Sequence, residues 1–214
     1  RFEKAVTNRT KAIMISHPNN PTGCLSRVDD LEVLKEICLK HDLFLFSDEA
    51  YREFCYDGKK HTSALSLEGL EQHAILRDTI SKRYSACGGR IGAFVTRNQE
   101  VLDAAMKFAQ ARLSPPTFAQ ILGEAAVDLP ADYFDEVHAE YTSRRDLLVQ
   151  RLKAIPGIIC PLPGGAFYAT DTGDVSFAEP ILFFAGFIPT NVPEPASLSF
   201  LAVSTALLLC RRRR

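Results

Sequence analysis

The sequence lacks most of the signals that would place a chain outside the ordinary globular classes. Its six cysteines (Cys24, Cys38, Cys55, Cys87, Cys160 and Cys210) include no C-x-x-C pair. That spacing argues against a zinc site or a disulfide framework and for a reducing compartment, so no metal is expected. Charge is nearly balanced, with 25 Lys+Arg against 26 Asp+Glu and a net −1. Nothing global therefore points to nucleic acid, and no nucleic-acid partner is expected. The N-terminal Arg1-Phe2-Glu3-Lys4 lacks the apolar core of a secretory signal. There is no initiator Met, and Lys11 already leads into an apolar run, so the chain reads as starting within a domain. No internal repeat is found. What is present is 214 residues, 46% hydrophobic and 24% charged, which suits a globular chain of one domain or one and a half.

The chemistry gathers around Lys82. The apolar Ala74-Ile75-Leu76 reads as the end of a buried strand, and Thr79 and Ser81 put two hydroxyls just before the lysine. A small-residue turn follows and ends in Gly88-Gly89-Arg90. A lysine at a strand exit, with hydroxyls and an arginine near, suits an aldehyde cofactor that carries a phosphate. The amine forms a Schiff base, and the arginine and hydroxyls hold the dianion. Taken alone, a lysine beside a Gly-Gly turn is more often a solvated loop residue.

Two upstream stretches bear on that choice. Ala12-Ile13-Met14-Ile15-Ser16 reads as a buried strand running into His17-Pro18-Asn19-Asn20-Pro21-Thr22-Gly23. The turn presents Asn19 and Asn20 at the strand's C-terminal end, where open α/β sheets bind ligands, although a plain Pro-Asn turn has the same sequence. Residues 26–41 form an amphipathic helix with Leu31, Leu34, Ile37 and Cys38 as its apolar stripe and Ser26 or Asp29 as its cap. Leu43-Phe44-Leu45-Phe46-Ser47 is a strand buried on both faces, and it delivers Asp48 and, three residues on, Tyr51. Asp48 reads either as a cap of the next turn or as a buried carboxylate whose charge needs a partner, for which a protonated pyridine nitrogen would serve.

Further along, residues 52–66 read as a polar excursion with a turn at Asp57-Gly58, and residues 91–96 as another strand. Residues 98–111 form a helix with Val101, Leu102, Ala105, Met106 and Phe108 expected inside. A small-residue helix follows over 118–127. A long charged helix over 133–155 then opens a second subdomain. Ile158-Ile159-Cys160 and Ala166-Phe167-Tyr168 read as short strands flanking a Pro-Leu-Pro-Gly-Gly turn.

In order and spacing, Pro18-Asn19-Asn20-Pro21-Thr22-Gly23, Ser47-Asp48-Glu49-Ala50-Tyr51, Ser81-Lys82 and Gly89-Arg90-Ile91-Gly92 resemble the class I/II pyridoxal-phosphate aminotransferases of fold type I. Residues 108–116 and 163–168 are similar to an aspartate-aminotransferase-like bacterial subgroup. The likeness covers about residues 1–175. It implies an α/β fold: a partial large domain with a mainly parallel sheet flanked by helices over 1–130, and the start of the small C-terminal domain over 131–175. It also implies pyridoxal 5'-phosphate as cofactor, an amino acid and a 2-oxo acid as substrates in a ping-pong exchange, a homodimer and a cytoplasmic body.

The roles implied by the resemblance are specific. Lys82 would form the Schiff base and then carry the proton between Cα and C4′, and Asp48 would keep the pyridine nitrogen protonated. Asn20 and Tyr51 would hydrogen-bond the ring oxygen. Arg90 would clamp the phosphate with Thr79 and Ser81 beside it. The same resemblance assigns the phosphate-cradling loop and the ring-stacking aromatic to a segment before residue 1. It assigns the arginine for the substrate's α-carboxylate to a position past Asp174. Other fold-type-I reactions, β-elimination or decarboxylation, would use the same lysine and aspartate.

The tail is of another kind. After a junction over 176–191, Val192-Pro193-Glu194-Pro195, an apolar run to Cys210 and Arg211 to Arg214 resemble a PEP-CTERM sorting signal over 192–214. That resemblance implies a hydrophobic tail helix in contact with a membrane, its arginines cytoplasmic, and processing by an exosortase-type enzyme. A buried C-terminal helix with a basic end would read the same way. A fusion, a frameshift or a mis-joined sequence would each produce such a junction. The alternative to an aminotransferase is a membrane-anchored, non-catalytic envelope protein with an aminotransferase-like body.

Overall fold

The computed structural model describes residues 2–130 and 132–170 and the backbone of Leu182–Phe184. A short helix, α1 (Phe2–Ala5), precedes β1 (Ala12–Ser16), α2 (Val28–His41), β2 (Phe44–Asp48), β3 (Ala74–Thr79), α3 (Ile80–Arg83) and β4 (Gly92–Thr96). The four strands lie side by side in chain order, β1, β2 and β3 parallel and β4 antiparallel to β3. The sheet is thus mainly parallel, as expected.

The core follows from the apolar runs. Leu31, Leu34, Ile37 and Cys38 of α2 are its buried residues, and they pack with Ile13, Leu43, Leu45 and Ala74 from the strands. Neither Ser26 nor Asp29 caps α2. Arg27 occupies the cap position, and the Asp30 carboxylate in the first turn accepts its backbone N–H at 3.0 Å. The Ser26 backbone N–H donates to His17 Nδ1 at 3.3 Å.

The second half adds α4 (Gln99–Arg112), α5 (Thr117–Val127), α6 (Asp132–Lys153), β5 (Tyr168–Thr170) and β6 (Leu182–Phe184). The expected inward face of α4 is not buried. Val101, Leu102 and Ala105 are half-covered, while Met106 and Phe108 are exposed, Phe108 at 79%. Among the described residues α4 packs chiefly on β4, which is the last strand of the sheet and is itself largely exposed. In α6 the stripe is buried, with Val137, Tyr141, Arg145, Val149 and Leu152 recurring at helical spacing.

Two other expectations need correction. Residues 52–66 are not simply a polar excursion, since Phe54 and Tyr56 are among the most buried side chains. They pack with Tyr51, Val137, Tyr141 and Ala166. Ile158-Ile159-Cys160 is not a strand. Ala166 takes a left-handed backbone, φ 55°, so the strand starts only at Tyr168, and it pairs antiparallel with β6.

The second half is locked to the first by close backbone approach. Gly23, at φ +66°, accepts the N–H groups of Gly164 and Gly165 on its carbonyl, both at 2.9 Å. A Cβ on Gly23 would sit 2.6 Å from Pro163 Cβ. Nearby, the buried Arg145 guanidinium makes a two-pronged pair with Asp57 at 2.9 and 3.0 Å and lies 4.6 Å from the Tyr56 ring centroid.

Most of the 176–191 junction and all of the 192–214 tail lie outside the described residues. Among the described residues no helix is long and apolar enough to cross a membrane, and no cluster of three metal-ligating side chains occurs.

The aromatic cluster sets a stability test. Phe54 is 2% exposed, with its ring edge-on to Tyr141 and Phe167, both at 5.1 Å. Phe54→Ala is expected to lower the unfolding free energy by about 3–5 kcal/mol, as a large buried aromatic does. Denaturant unfolding checks this, and a loss below about 1 kcal/mol would mean that the cluster is not a core.

Candidate active site

Ser16 lies opposite Asp48, and Asp48 opposite Arg77, so β1 and β2 end in one row while β3 runs two residues further, to Thr79. The ladder runs one step further through His17 N–H to Asp48 O and Glu49 N–H to Arg77 O, each 2.9 Å. Above these ends opens a cleft of about 670 Å³. Asn20, Asp48, Tyr51, Thr79, Ser81, Lys82 and Arg90 all line it. Every site residue singled out in the sequence is therefore brought to one cavity, of a size usual for a cofactor.

Each side chain has a local reason for its position. Asn19 is spent inside the Pro-Asn turn: its carbonyl oxygen accepts from Thr22 N–H and Thr22 Oγ1, the latter at 2.8 Å. Asn20 is left to face the cleft, and its side chain hydrogen-bonds Tyr51. Asp48 has both oxygens engaged. Oδ1 accepts the Ala50 N–H at 3.2 Å, so the turn-capping reading holds, and Oδ2 accepts from Arg77 Nη2 at 2.7 Å. Lys82 sits in α3, one turn past the β3 exit, with Nζ 5.9 Å from the Phe167 ring centroid. Thr79 caps that helix, accepting the Ser81 N–H at 3.2 Å, and its hydroxyl reaches Ser81 Oγ at 2.9 Å and Ile91 O at 3.0 Å. Arg90 adopts a left-handed backbone, φ 53°, and donates to Cys87 O at 3.1 Å.

Three features were not found from the sequence. Arg77 lines the cleft beside Asp48, a neighbourhood that only strand register reveals. Tyr168 comes from β5, and its hydroxyl meets that of Tyr51, with the rings edge-on at 5.5 Å. Its place in the Gly-Gly-Ala-Phe-Tyr stretch was the one available signal. Burial pushes the Tyr51 hydroxyl well above the ordinary phenol range and Tyr168 adds to this, while the Asn20 hydrogen bond acts the other way.

The third is a polar cluster under the end of β2. Glu49 is fully buried, its Oε1 accepting from Ser63 Oγ at 3.1 Å and Ala64 N–H at 2.9 Å. Its Oε2 lies 3.5 Å from His61 Nε2, and the His61 and His17 rings stand 4.7 Å apart. Burial, with the nearby His17 and Arg52, lowers His61 to about 4, whereas burial raises Glu49.

With this geometry in view, comparison with known proteins decides the family. The model described as "Aminotransferase class I and II" matches residues 1–188. The chain belongs to the class I and II aminotransferases. Within this family it is 35% identical to an aspartate aminotransferase of Bacillus subtilis over 170 residues, 78% of this chain and 43% of that one. It is 36% identical to an aromatic-amino-acid aminotransferase of Thermococcus litoralis, again covering 78% and 43%. The crystal structure of the Rhizobium meliloti aspartate aminotransferase superposes with a TM-score of 0.75 at 32% identity, over 79% of this chain and 43% of that one. The chain thus spans less than half the length of these aminotransferases. The family match also runs past Asp174, where the motif likeness stops.

The buried histidine gives a pH test. With a folded pKa of about 4 against about 6.5 unfolded, His61 contributes stability that is present above pH 6.5 and lost as pH falls toward 4. Glu49, raised, acts in the opposite sense, losing its contribution as pH rises through the carboxylate range. His61→Gln is expected to flatten the fall in unfolding free energy between pH 6.5 and 4. Parallel curves for parent and variant would show that His61 does not titrate between its folded and unfolded values.

Proposed function

We propose that this chain carries the cofactor-anchoring half of a pyridoxal-phosphate-dependent aminotransferase, which moves an amino group from an amino acid to a 2-oxo acid. The observation that supports this most is the gathering of all seven candidate residues around one cleft at the ends of β1, β2 and β3. The donor set fits the cofactor: a primary amine for its aldehyde, a carboxylate for its ring nitrogen, an amide and a phenol for its ring oxygen, and an arginine with two hydroxyls for its phosphate.

When bound, pyridoxal phosphate supplies the aldehyde and a ring that takes up the electron pair left at the substrate's Cα. Lys82 would hold the cofactor's aldehyde carbon until the substrate's amine displaces it, and the freed lysine amine would then take the proton from Cα and return it at C4′. Asp48 would keep the proton on the ring nitrogen, which makes the ring the better acceptor. Asn20 and Tyr51 would orient the ring through its oxygen. Arg90, Thr79 and Ser81 would hold the phosphate.

The substrates are an amino acid and a 2-oxo acid. The relatives' names cover aspartate and aromatic amino acids, so the amino donor is left as a class. We assign the active form to a homodimer, and membrane contact to residues 192–214 on the strength of Pro193-Glu194-Pro195, the apolar run and the terminal arginines.

The decisive experiment is a visible spectrum of the purified chain with pyridoxal phosphate, before and after borohydride, beside Lys82→Ala. The expected result is a cofactor band that borohydride fixes covalently in the parent and not in the variant. A chain that binds no cofactor, or a variant that is fixed equally, would overturn the assignment to Lys82.

A further inference from the structure

We propose that Arg77 is a displaceable placeholder for the cofactor ring: its guanidinium occupies the Asp48 oxygen that the ring nitrogen needs, so loading exchanges one cation for another. The inference rests on the reading of this cleft as a pyridoxal-phosphate site. It concerns a residue to which that reading gives no role.

The geometry begins with strand register. Asp48 is the last residue of β2, and Arg77 lies directly opposite it in β3. Both side chains line the same cleft. Asp48 Oδ1 is turned back to its own chain by the Ala50 N–H. That leaves Oδ2 as the oxygen available to a ligand, and Arg77 Nη2 holds it at 2.7 Å.

The pair is built to open. The Arg77 side chain is 71% exposed and that of Asp48 28%. An ion pair this wet is screened by water and costs little to break. The Arg77 side chain makes no other hydrogen bond or ion pair among the described residues. A protonated ring nitrogen entering the cleft would meet a guanidinium already seated on its carboxylate. Two cations on one oxygen disfavour each other, so the mobile, solvated one leaves. Asp48 remains compensated throughout, by Arg77 before loading and by the ring afterwards, and so avoids the cost of a carboxylate left without a counter-charge in the cleft.

The same argument predicts where the effect is felt. Arg77 opposes loading at the ring end of the cofactor and is indifferent to its phosphate, which Arg90 and the hydroxyls of Thr79 and Ser81 would take. Removing the charge while keeping the length, as in Arg77→Met, then favours every ligand that brings a pyridine nitrogen to Asp48.

The test is equilibrium binding of two probes, pyridoxal phosphate and the phosphate-free pyridoxal, to the parent chain, Arg77→Met and Arg77→Lys, followed by absorbance or fluorescence at two salt concentrations. Arg77→Met is expected to bind both probes about two- to fivefold more tightly than the parent, the range of an exposed ion pair. Arg77→Lys, a cation without the planar fork, should fall between them, and the advantage should shrink at high salt. Unchanged or weaker binding of pyridoxal to Arg77→Met would overturn the proposal. A loss confined to pyridoxal phosphate would overturn it in favour of a phosphate contact by Arg77. Failure of parent and Arg77→Met alike to bind either probe would remove the cofactor reading itself, and the proposal with it.

Discussion

The parallel register of β1, β2 and β3 is the constraint on which the site depends. It fixes Ser16, Asp48 and Arg77 in one row, with β3 running two residues further to Thr79, so the residues that follow the three strands emerge at one edge of the sheet. The Pro-Asn turn, the Asp48–Tyr51 segment and the Lys82 helix are distant in sequence, yet they share a cleft because each is the first chain past a strand end. A slip of one residue in the β2–β3 register would turn Arg77 and Lys82 relative to Asp48 and dissolve the arrangement. The apolar residues of these strands, Ile13, Leu45, Ile75 and Leu76 among them, hold that register by burial.

A second constraint ties the later part of the chain to the site. Gly23 and Gly165 allow backbone to meet backbone where any side chain would collide with Pro163 or Pro18. The contact brings Phe167 and Tyr168 against Tyr51, a residue of the cleft wall. Phe167 then packs on Tyr51 and Phe54 and lies near Lys82, and Tyr168 meets the Tyr51 hydroxyl. Tyr51 is thus fixed by rings on its sides and by hydroxyl and amide groups at its tip, which gives a phenol in a polar cleft a defined direction.

The electrostatics of the cleft are a balance of opposite signs. Lys82, Arg77 and Arg90 face Asp48 and Asp78, and Asp78 is itself held by Arg83 at 2.6 Å. Just past β2, Glu49 is buried beside His61, and two hydrogen bonds to one of its oxygens offset only part of the desolvation, which still raises its pKa. Charged groups at the mouth are left accessible to a ligand.

The sequence by itself determined most of the elements. Apolar runs marked the strands of the sheet and helical spacing marked the buried face of α2, and the motifs around Asn20, Asp48, Tyr51, Lys82 and Arg90 carried the resemblance that implies a cofactor site. The runs and periods were legible because each depends on a short stretch of chain. Tertiary structure decided what depends on neighbours remote in sequence. It gave Asp48 the Arg77 partner through register. It left Met106 and Phe108 of α4 exposed, on a helix whose main contact among the described residues is the largely exposed β4. It also turned residues 52–66 inward, since Phe54 and Tyr56 acquire an apolar environment only when α6 and Ala166 arrive from far along the chain. Periodicity reports which face of an element is apolar, and only packing supplies the surface against which that face is buried.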